Sequence, residues 1–516
     1  MKRLRRFFLN AVLLGTTTIF MKSVGVVFNA YVSGKIGAQG MGLYSLVTSV
    51  YGFAVTLAIS GVSLAVVRLV SEELGKNNRA GAIAAMRKCI GYALIFGISS
   101  FSILFFGADF IANRILQDER TYLSLRVLSV ALPFIALSNV FAGYFNAVRR
   151  VYKSASASMA EQFVKIMLTV GFLRALLPKG IEYGTLALVL GTAIAEALSF
   201  AYFFIFYILD KKKYLKTKKA ASDPEMNRRL LRISLPIALS SYLRSGLVTV
   251  QHILIPIGLR RHGADYGTAL ASYGTIHGMV FPLILFPSAV CTTFSGLIVP
   301  ELSELAATYG NVRGNRHICY IVRRALSLAL LFGIGTAGIL LCFAEPLGIL
   351  VYKSAEAAKY IRIFAPLVPV MYLDTTVDGM LKGLGQQLHS MFYNIIDASL
   401  SVFLVWILMP QIGIYGYVIC VFVTELVNLA FSLTRLLTVT EARLPIPKTV
   451  LCPLICIAGG TALSMIAMHM VSQNVGNAVF TVSGILLSVV FYVILLRITG
   501  GLSREDSRWF RGILQK

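Results

Sequence analysis

Apolar runs long enough to cross a bilayer recur along this chain from one end to the other, and no other feature narrows its fold as far. The hydrocarbon layer of a membrane takes a helix of about 20 residues. Reading the sequence for such runs gives 14 spans: 8–32, 41–70, 83–107, 122–147, 157–177, 184–209, 231–259, 273–302, 319–343, 360–381, 388–409, 413–437, 449–471 and 474–497. The connections between them are short and leave no room for a soluble domain. A bilayer cannot hydrogen-bond an exposed backbone, so it admits only helices and closed barrels. None of these runs alternates in the manner of a barrel strand of about 10 residues. Charge agrees: 14% of residues are Asp, Glu, Lys or Arg, against about 25% in soluble domains. The expected fold is an all-α polytopic membrane protein. The opening MKRLRRFFLNAVLLG is leader-like, but it lacks a small-residue cleavage site and stays apolar to Tyr31, so it reads as a retained first span.

The formal net charge of +25 is distributed by topology. With the N-terminus on the cytoplasmic side, the inner segments are 2–6, 68–88, 149–153, 211–229, 313–324, Lys382, 435–448 and 497–516. They hold 33 of the 48 Lys and Arg, while the opposite loops hold 8. This is the positive-inside pattern. It places both termini in the cytoplasm and the chain in the inner (cytoplasmic) membrane, and it assigns the basic excess to anionic lipid rather than nucleic acid. The 7 cysteines are scattered. Cys452 and Cys456 stand one helical turn apart with no His or second Cys pair, which reads as packing rather than a metal site. No P-loop, HExxH or GxSxG occurs, so transport is expected rather than catalysis.

The longest connection, 210–230 (DKKKYLKTKKAASDPEMNRRL), divides the chain. Residues 1–209 form a first lobe of six spans and 231–437 a second. Residues 438–498 add spans 13 and 14, and 499–516 form a tail. The lobes resemble each other. At an offset of 236, Arg87 matches Arg323, Pro133 matches Pro369, Gly143 matches Gly379, Ser154 matches Ser390, and Glu161 aligns with Asp397. At an offset of 222, Thr18, Lys22-Ser23 and Asn29 align with Ser240, Arg244-Ser245 and Gln251. Six is even, so both copies run the same way, related by an axis along the membrane normal.

A charge at mid-bilayer is unfavourable by about 2.5–3.5 kcal/mol, so charges inside spans are informative. Thr18, Lys22, Gly25 and Asn29 share one face of span 1, and Ser241, Arg244, Val248 and Gln251 share one face of span 7. Lys22 and Arg244 then offer a paired cationic site suited to a phosphate or diphosphate. The alternative is a snorkelling Lys22 and a structurally paired Arg244. His252 reads as a satisfied interior histidine. Glu161 and Lys165 are expected to neutralise each other as an i, i+4 pair. Asp374 and Asp378 share a face of span 10, with no basic neighbour assigned to them. With Asp397 they suggest a site for Na+ or H+ coupling, the alternative being exposure near a cytoplasmic end. Glu196 and Glu425 have no evident partner.

The segments GMVFPLILFPSAV (278–290), SGLIVPELSE (295–304), AEQFVK (160–165) and SGVSLAVVRLVSEE (60–73), with 14 spans and a basic loop after the sixth, resemble the stage V sporulation protein B family. These are polysaccharide-type transporters of the multidrug/oligosaccharidyl-lipid/polysaccharide (MOP) superfamily. The resemblance covers essentially the whole chain. It implies flipping of an undecaprenyl-diphosphate-linked saccharide, such as lipid II or a polysaccharide unit, by alternating access. It also implies a central cationic cavity and a groove beside spans 13–14 for the lipid tail. Related lipid II flippases carry arginines in spans 1 and 2, where this chain has Lys22 and, near the end of span 2, Arg68. The expected partners are the lipid-linked oligosaccharide and anionic lipids, the expected state is a monomer, and no cofactor is expected beyond a coupling ion. Two alternatives stand: a multidrug or cation antiporter of the same superfamily, and a membrane scaffold for envelope synthesis.

Overall fold

The computed structural model describes residues 2–214, 225–309, 312–442, 447–471 and 477–502. Most of the basic connection (215–224) and most of the tail (503–516) lie outside the described residues. The chain is a succession of helices: α1 (Lys2–Ile59), α2 (Val62–Gly75), α3 (Arg79–Phe110), α4 (Tyr122–Ala147), α5 (Val151–Leu176), α6 (Ile181–Tyr214), α7 (Met226–Arg261) and α8 (Tyr266–Gly274). Then follow α9 (Phe281–Leu285), α10 (Ser288–Tyr309), α11 (Arg316–Cys342), α12 (Ala344–Tyr352), α13 (Ala355–Phe364), α14 (Val368–Gly383), α15 (Gln387–Ile412), α16 (Ile414–Thr440), α17 (Cys452–Val471) and α18 (Asn477–Ile498).

Among the described residues, 11 helical segments are long and apolar enough to cross a bilayer, so the chain is a multi-pass membrane protein. The count differs from 14 for local reasons. The first two expected spans belong to one segment, Gly15–Gly75. Within it Gly37 breaks the helical run at φ 68, a left-handed value that a side chain resists. Helix α14 is only 16 residues long, started by Pro369 in its first turn, and α5 carries both Glu161 and Lys165. The run expected at 273–302 is split in two, because Pro287 lacks the N–H that would continue the helix into α10, and its first part belongs to the segment Tyr266–Leu285.

The chain packs as two compact units, 36–274 and 1–35 with 275–516. The divisions thus fall beside the break at Gly37 and at the π-helical turn Thr275–Val280. Moving between lipid and a lipid-like interior gains an apolar side chain little, so close packing at small residues has to hold membrane helices together.

In the unit 36–274 this is literal. A Cβ at Gly42 would meet the Leu270 carbonyl oxygen at 2.0 Å, and one at Gly274 would meet that of Ala38 at 2.1 Å. Helix α7 is fastened to its neighbours by polar groups. Thr56 Oγ1 donates to Ser245 Oγ at 3.1 Å, Thr249 Oγ1 donates to the Ser49 carbonyl at 3.1 Å, and Arg229 pairs with Glu72 and with Glu73, the latter at 3.3 Å. An aromatic cluster of Phe141, Tyr144 and Tyr207 joins α4 to α6. At the same end, buried Asp210 holds both Arg150 and Lys153, the latter at 2.7 Å.

In the other unit, Ile298, Leu302, Ile321, Leu326, Met380 and Leu436 form the main core of α10, α11, α14 and α16. A smaller core of Leu331, Ile334, Cys456, Ile457 and Tyr492 fastens α17 and α18 onto α11. The sulfurs of Cys452 and Cys456 lie 4.0 Å apart, both beside the Thr499 hydroxyl, as free thiols.

Candidate functional site

The first half of α1 lies against α10 in the unit 1–35 with 275–516. Gly15 sets the approach, since a Cβ there would sit 2.1 Å from Thr293 Cγ2. Two turns on, half-buried Lys22 reaches Ser288, its Nζ donating to Oγ across a long 3.5 Å. Ser288 in turn donates to the Leu285 carbonyl at 2.6 Å. Pro287 creates this meeting point by ending one helix and letting α10 begin. On the same face of α1, Thr18 is exposed and Asn29 half-buried, with Asn29 Oδ1 enclosed and without a hydrogen-bond partner among the described residues.

Immediately along α10, Val290, Cys291 and Phe294 wall a cavity of about 230 Å³, closed by Leu328 and Phe332 of α11 and by Tyr492 of α18. Its lining is almost wholly carbon, because the Tyr492 hydroxyl is already used on the Leu331 carbonyl at 2.7 Å. One helix therefore carries a cation-bearing contact at its start and an apolar recess in its next turn. Periodicity does not reveal that recess, because four helices build it, Thr376 of α14 being the fourth contribution.

Arg244, Ser241 and Gln251 belong to the unit 36–274. Arg244 is exposed and makes no hydrogen bond or ion pair among the described residues, while Ser241 and Gln251 are half-buried. His252 is a satisfied interior histidine, its Nδ1 2.9 Å from the Tyr273 hydroxyl.

The carboxylates on α14 part company. Asp378 binds Lys382 Nζ at 2.5 Å, one turn along the same helix, and also accepts from Ser390. The expectation that this pair lacks a basic neighbour is corrected: Lys382 stands at i+4, where opposite charges on a helix meet. Asp374 instead accepts from Asn428 Nδ2 of α16 at 3.2 Å. Half-buried Asp397 sits on α15 beside Cys420.

A second acidic group goes undetected by sequence reasoning. Glu161 and Lys165 of α5 make no direct ion pair among the described residues; Glu161 lies beside Glu196 and Ser199 of α6. The residues are 35 apart in sequence and meet only because α5 and α6 pack together.

At the other end of the unit 36–274, Asp118 clasps the connection before α4 to the start of α8. Arg120 donates to its two oxygens at 2.9 and 2.8 Å, and the Tyr266 hydroxyl donates to Oδ2 at 2.5 Å. Burial works to raise the Asp118 pKa, but these charged and phenolic donors outweigh it and hold the carboxyl below its ordinary value.

Comparison with known proteins adds to this geometry. Residues 8–306 match the family described as polysaccharide biosynthesis protein, and residues 268–407 match the MatE family. Stage V sporulation protein B of Bacillus subtilis (strain 168) is 24% identical over 495 residues, covering 94% of each chain. In fold, the chain is similar to the lipid II flippase MurJ in its inward closed conformation, with a TM-score of 0.70 at 15% identity over 95% of this chain and 98% of that one. It is also similar to an inward-facing multidrug resistance MATE transporter of the MOP superfamily, with a TM-score of 0.65 at 16% identity over 84% of this chain and 99% of that one.

Proposed function

The chain belongs to the polysaccharide biosynthesis protein family, within the flippases and transporters of the MOP superfamily, and on that premise we propose that it flips a prenyl-diphosphate-linked saccharide from the cytoplasmic to the outer leaflet by alternating access. The observation that carries this reading is the juxtaposition on α10. Lys22 reaches Ser288 at the start of the helix, and an apolar recess of about 230 Å³ opens beside Val290, Cys291 and Phe294. An amphiphile with an anionic head and a hydrocarbon tail matches both features at once. A small cationic drug matches neither, since Lys22 repels its charge. Thr18 and Asn29 flank Lys22 on its helix and supply further hydrogen bonds to a diphosphate or sugar. Arg244 and Gln251 are the corresponding residues on α7 by repeat position, Ser241 shares their helix face, and we assign all three the same task in the other unit.

Native mass spectrometry of the detergent-purified protein tests the substrate class directly, with co-purified prenyl-diphosphate saccharide as the expected adduct. In proteoliposomes loaded with such a lipid, Lys22→Gln removes a charge-assisted bond of about 1.5–3 kcal/mol, which lowers apparent affinity roughly 10- to 100-fold. Lys22→Arg keeps most of it. Wild-type flipping by Lys22→Gln combined with Arg244→Gln would show that these cations are structural.

A further inference from the structure

The acidic group of the unit 36–274 remains outside that account. The packing of α5 on α6 is fixed at two levels. Ser156 Oγ and the Tyr202 hydroxyl meet at 2.9 Å, and a Cβ on Gly191 would lie 3.3 Å from the Lys165 carbonyl and hard against Thr169 Oγ1. The register between those contacts sets Glu161 and Lys165 across from Glu196 and Ser199, near the middle of both helices. The second half of α1 covers the group with Tyr51, which lies beside Glu196 and Glu161, and with Tyr44 next to it. Tyr51 is 9% exposed and Ser199 4%, and neither hydroxyl has a hydrogen-bond partner of ordinary geometry, although Ser199 faces Glu161. Thr169 Oγ1 is likewise enclosed and unsatisfied.

Two carboxylates and one ammonium leave one negative charge in a region that solvates charge poorly. Like charges side by side disfavour ionisation of both, and buried hydroxyls without partners are costly unless something binds them. The repeat sharpens the point. Glu161 aligns with Asp397, and Ser138, the counterpart of Asp374, is also buried with an unsatisfied hydroxyl. These repeat positions are therefore polar in both copies.

We propose that Glu161 and Glu196 form a proton-binding site, in which Lys165 balances one carboxylate and a single proton taken from water neutralises the other. Tyr51 and Ser199 supply hydrogen bonds to whichever oxygen is left charged, and Tyr44 is the remaining titratable side chain facing the group. Lys165 also repels a metal cation, which favours the proton as the ion bound. The site shares no residue with the Lys22 contact and needs no saccharide to be tested.

The test is infrared difference spectroscopy of the full chain in nanodiscs, read in the protonated-carboxyl region while pH is stepped across neutrality. Wild-type protein shows the band of one protonated carboxyl. Glu161→Gln and Glu196→Gln each abolish it, because the carboxylate that remains is balanced by Lys165. Lys165→Met doubles it, since both carboxyls then take a proton. A merely structural ion cluster gives neither pattern. Persistence of the band in the Glu161→Gln, Glu196→Gln double variant, or its absence from the wild type, overturns the site. Carboxylate bands that shift with added sodium at constant pH do so as well, by showing that a metal cation is bound there. Because no substrate enters the measurement, its failure says nothing against flipping, and a failed flipping assay says nothing against the proton site.

Discussion

The Asp118 clasp offers a perturbation whose size follows from its contacts. Asp118→Asn keeps the shape and removes the charge. The Asp118 side chain is 4% exposed and accepts from Arg120 at 2.9 and 2.8 Å and from Tyr266 at 2.5 Å. An amide has only one oxygen, so either the Arg120 arm or the Tyr266 hydroxyl must face an NH2 group that cannot accept. Charge-assisted hydrogen bonds contribute about 1.5–3 kcal/mol each. The Arg120 side chain is 30% exposed, so water recovers part of its loss, and the net cost comes to roughly 2–3 kcal/mol. That is a rise of about 30- to 150-fold in local opening. Hydrogen exchange of the full chain at neutral pH should show it at 117–121 and 264–268 and leave the middle of α5 unchanged. The pH dependence has a definite sign. The folded carboxyl lies below its ordinary value, so its contribution is fully present above the unfolded pKa of about 3.9 and is lost as pH falls through the still lower folded pKa. Wild type should therefore approach the Asn variant only in strong acid. Combining Asp118→Asn with Tyr266→Phe should reveal a coupling of about 1 kcal/mol or more. Unaltered exchange in Asp118→Asn, or strict additivity with Tyr266→Phe, would refute the clasp.

Three further outcomes are expected. Gly15→Leu drives a side chain into Thr293, which a Cβ alone would reach at 2.1 Å; overpacking of this kind costs about 1–3 kcal/mol, visible as a lowered thermal unfolding midpoint that Gly15→Ala only partly reproduces. Asp378→Asn breaks a half-exposed pair with Lys382 worth no more than about 1 kcal/mol, so the fold should be unaffected, and if Asp378 takes part in ion coupling the dependence of transport on sodium and pH should change, an unchanged dependence removing it from the coupling site. Cysteines introduced at Lys35 and Gly263 should label from outside intact cells and one at Lys216 should not; labelling at 216 would invert the proposed topology.

If the head and tail of the substrate are both met along α10, motion and binding share one helix. Pro287 supplies the irregularity that lets Ser288 face Lys22 while Val290 and Phe294 face the recess. A bound diphosphate would favour whichever state holds it more tightly, since a ligand shifts an equilibrium only by such differential affinity. The proposed proton site is built by α5, α6 and the second half of α1 and shares no residue with the Lys22 contact, so it can act on the same equilibrium without touching the substrate.

The helical, many-span character of the chain was legible in the sequence, because a bilayer forces the backbone to satisfy itself and lets about 20 apolar residues announce each crossing. Faces were legible for the same reason: Thr18, Lys22 and Asn29 follow from helical spacing alone. So was the Asp378–Lys382 pair, an i, i+4 contact that the sequence displays as openly as Glu161 and Lys165. What periodicity does not contain is the neighbour that a face meets. Glu161 turned toward Glu196 because Gly191 lets α6 close on α5; Asp374 found Asn428, 54 residues away; Asp118 found Tyr266 across 148 residues. The two compact units were hidden for a related reason: they divide at Gly37 and at the turn 275–280, where backbone geometry changes and composition does not. The apolar recess belonged to tertiary structure from the outset, since each of its walls is an ordinary lipid-compatible helix face until the packing of α10, α11, α14 and α18 leaves a space that none of them fills.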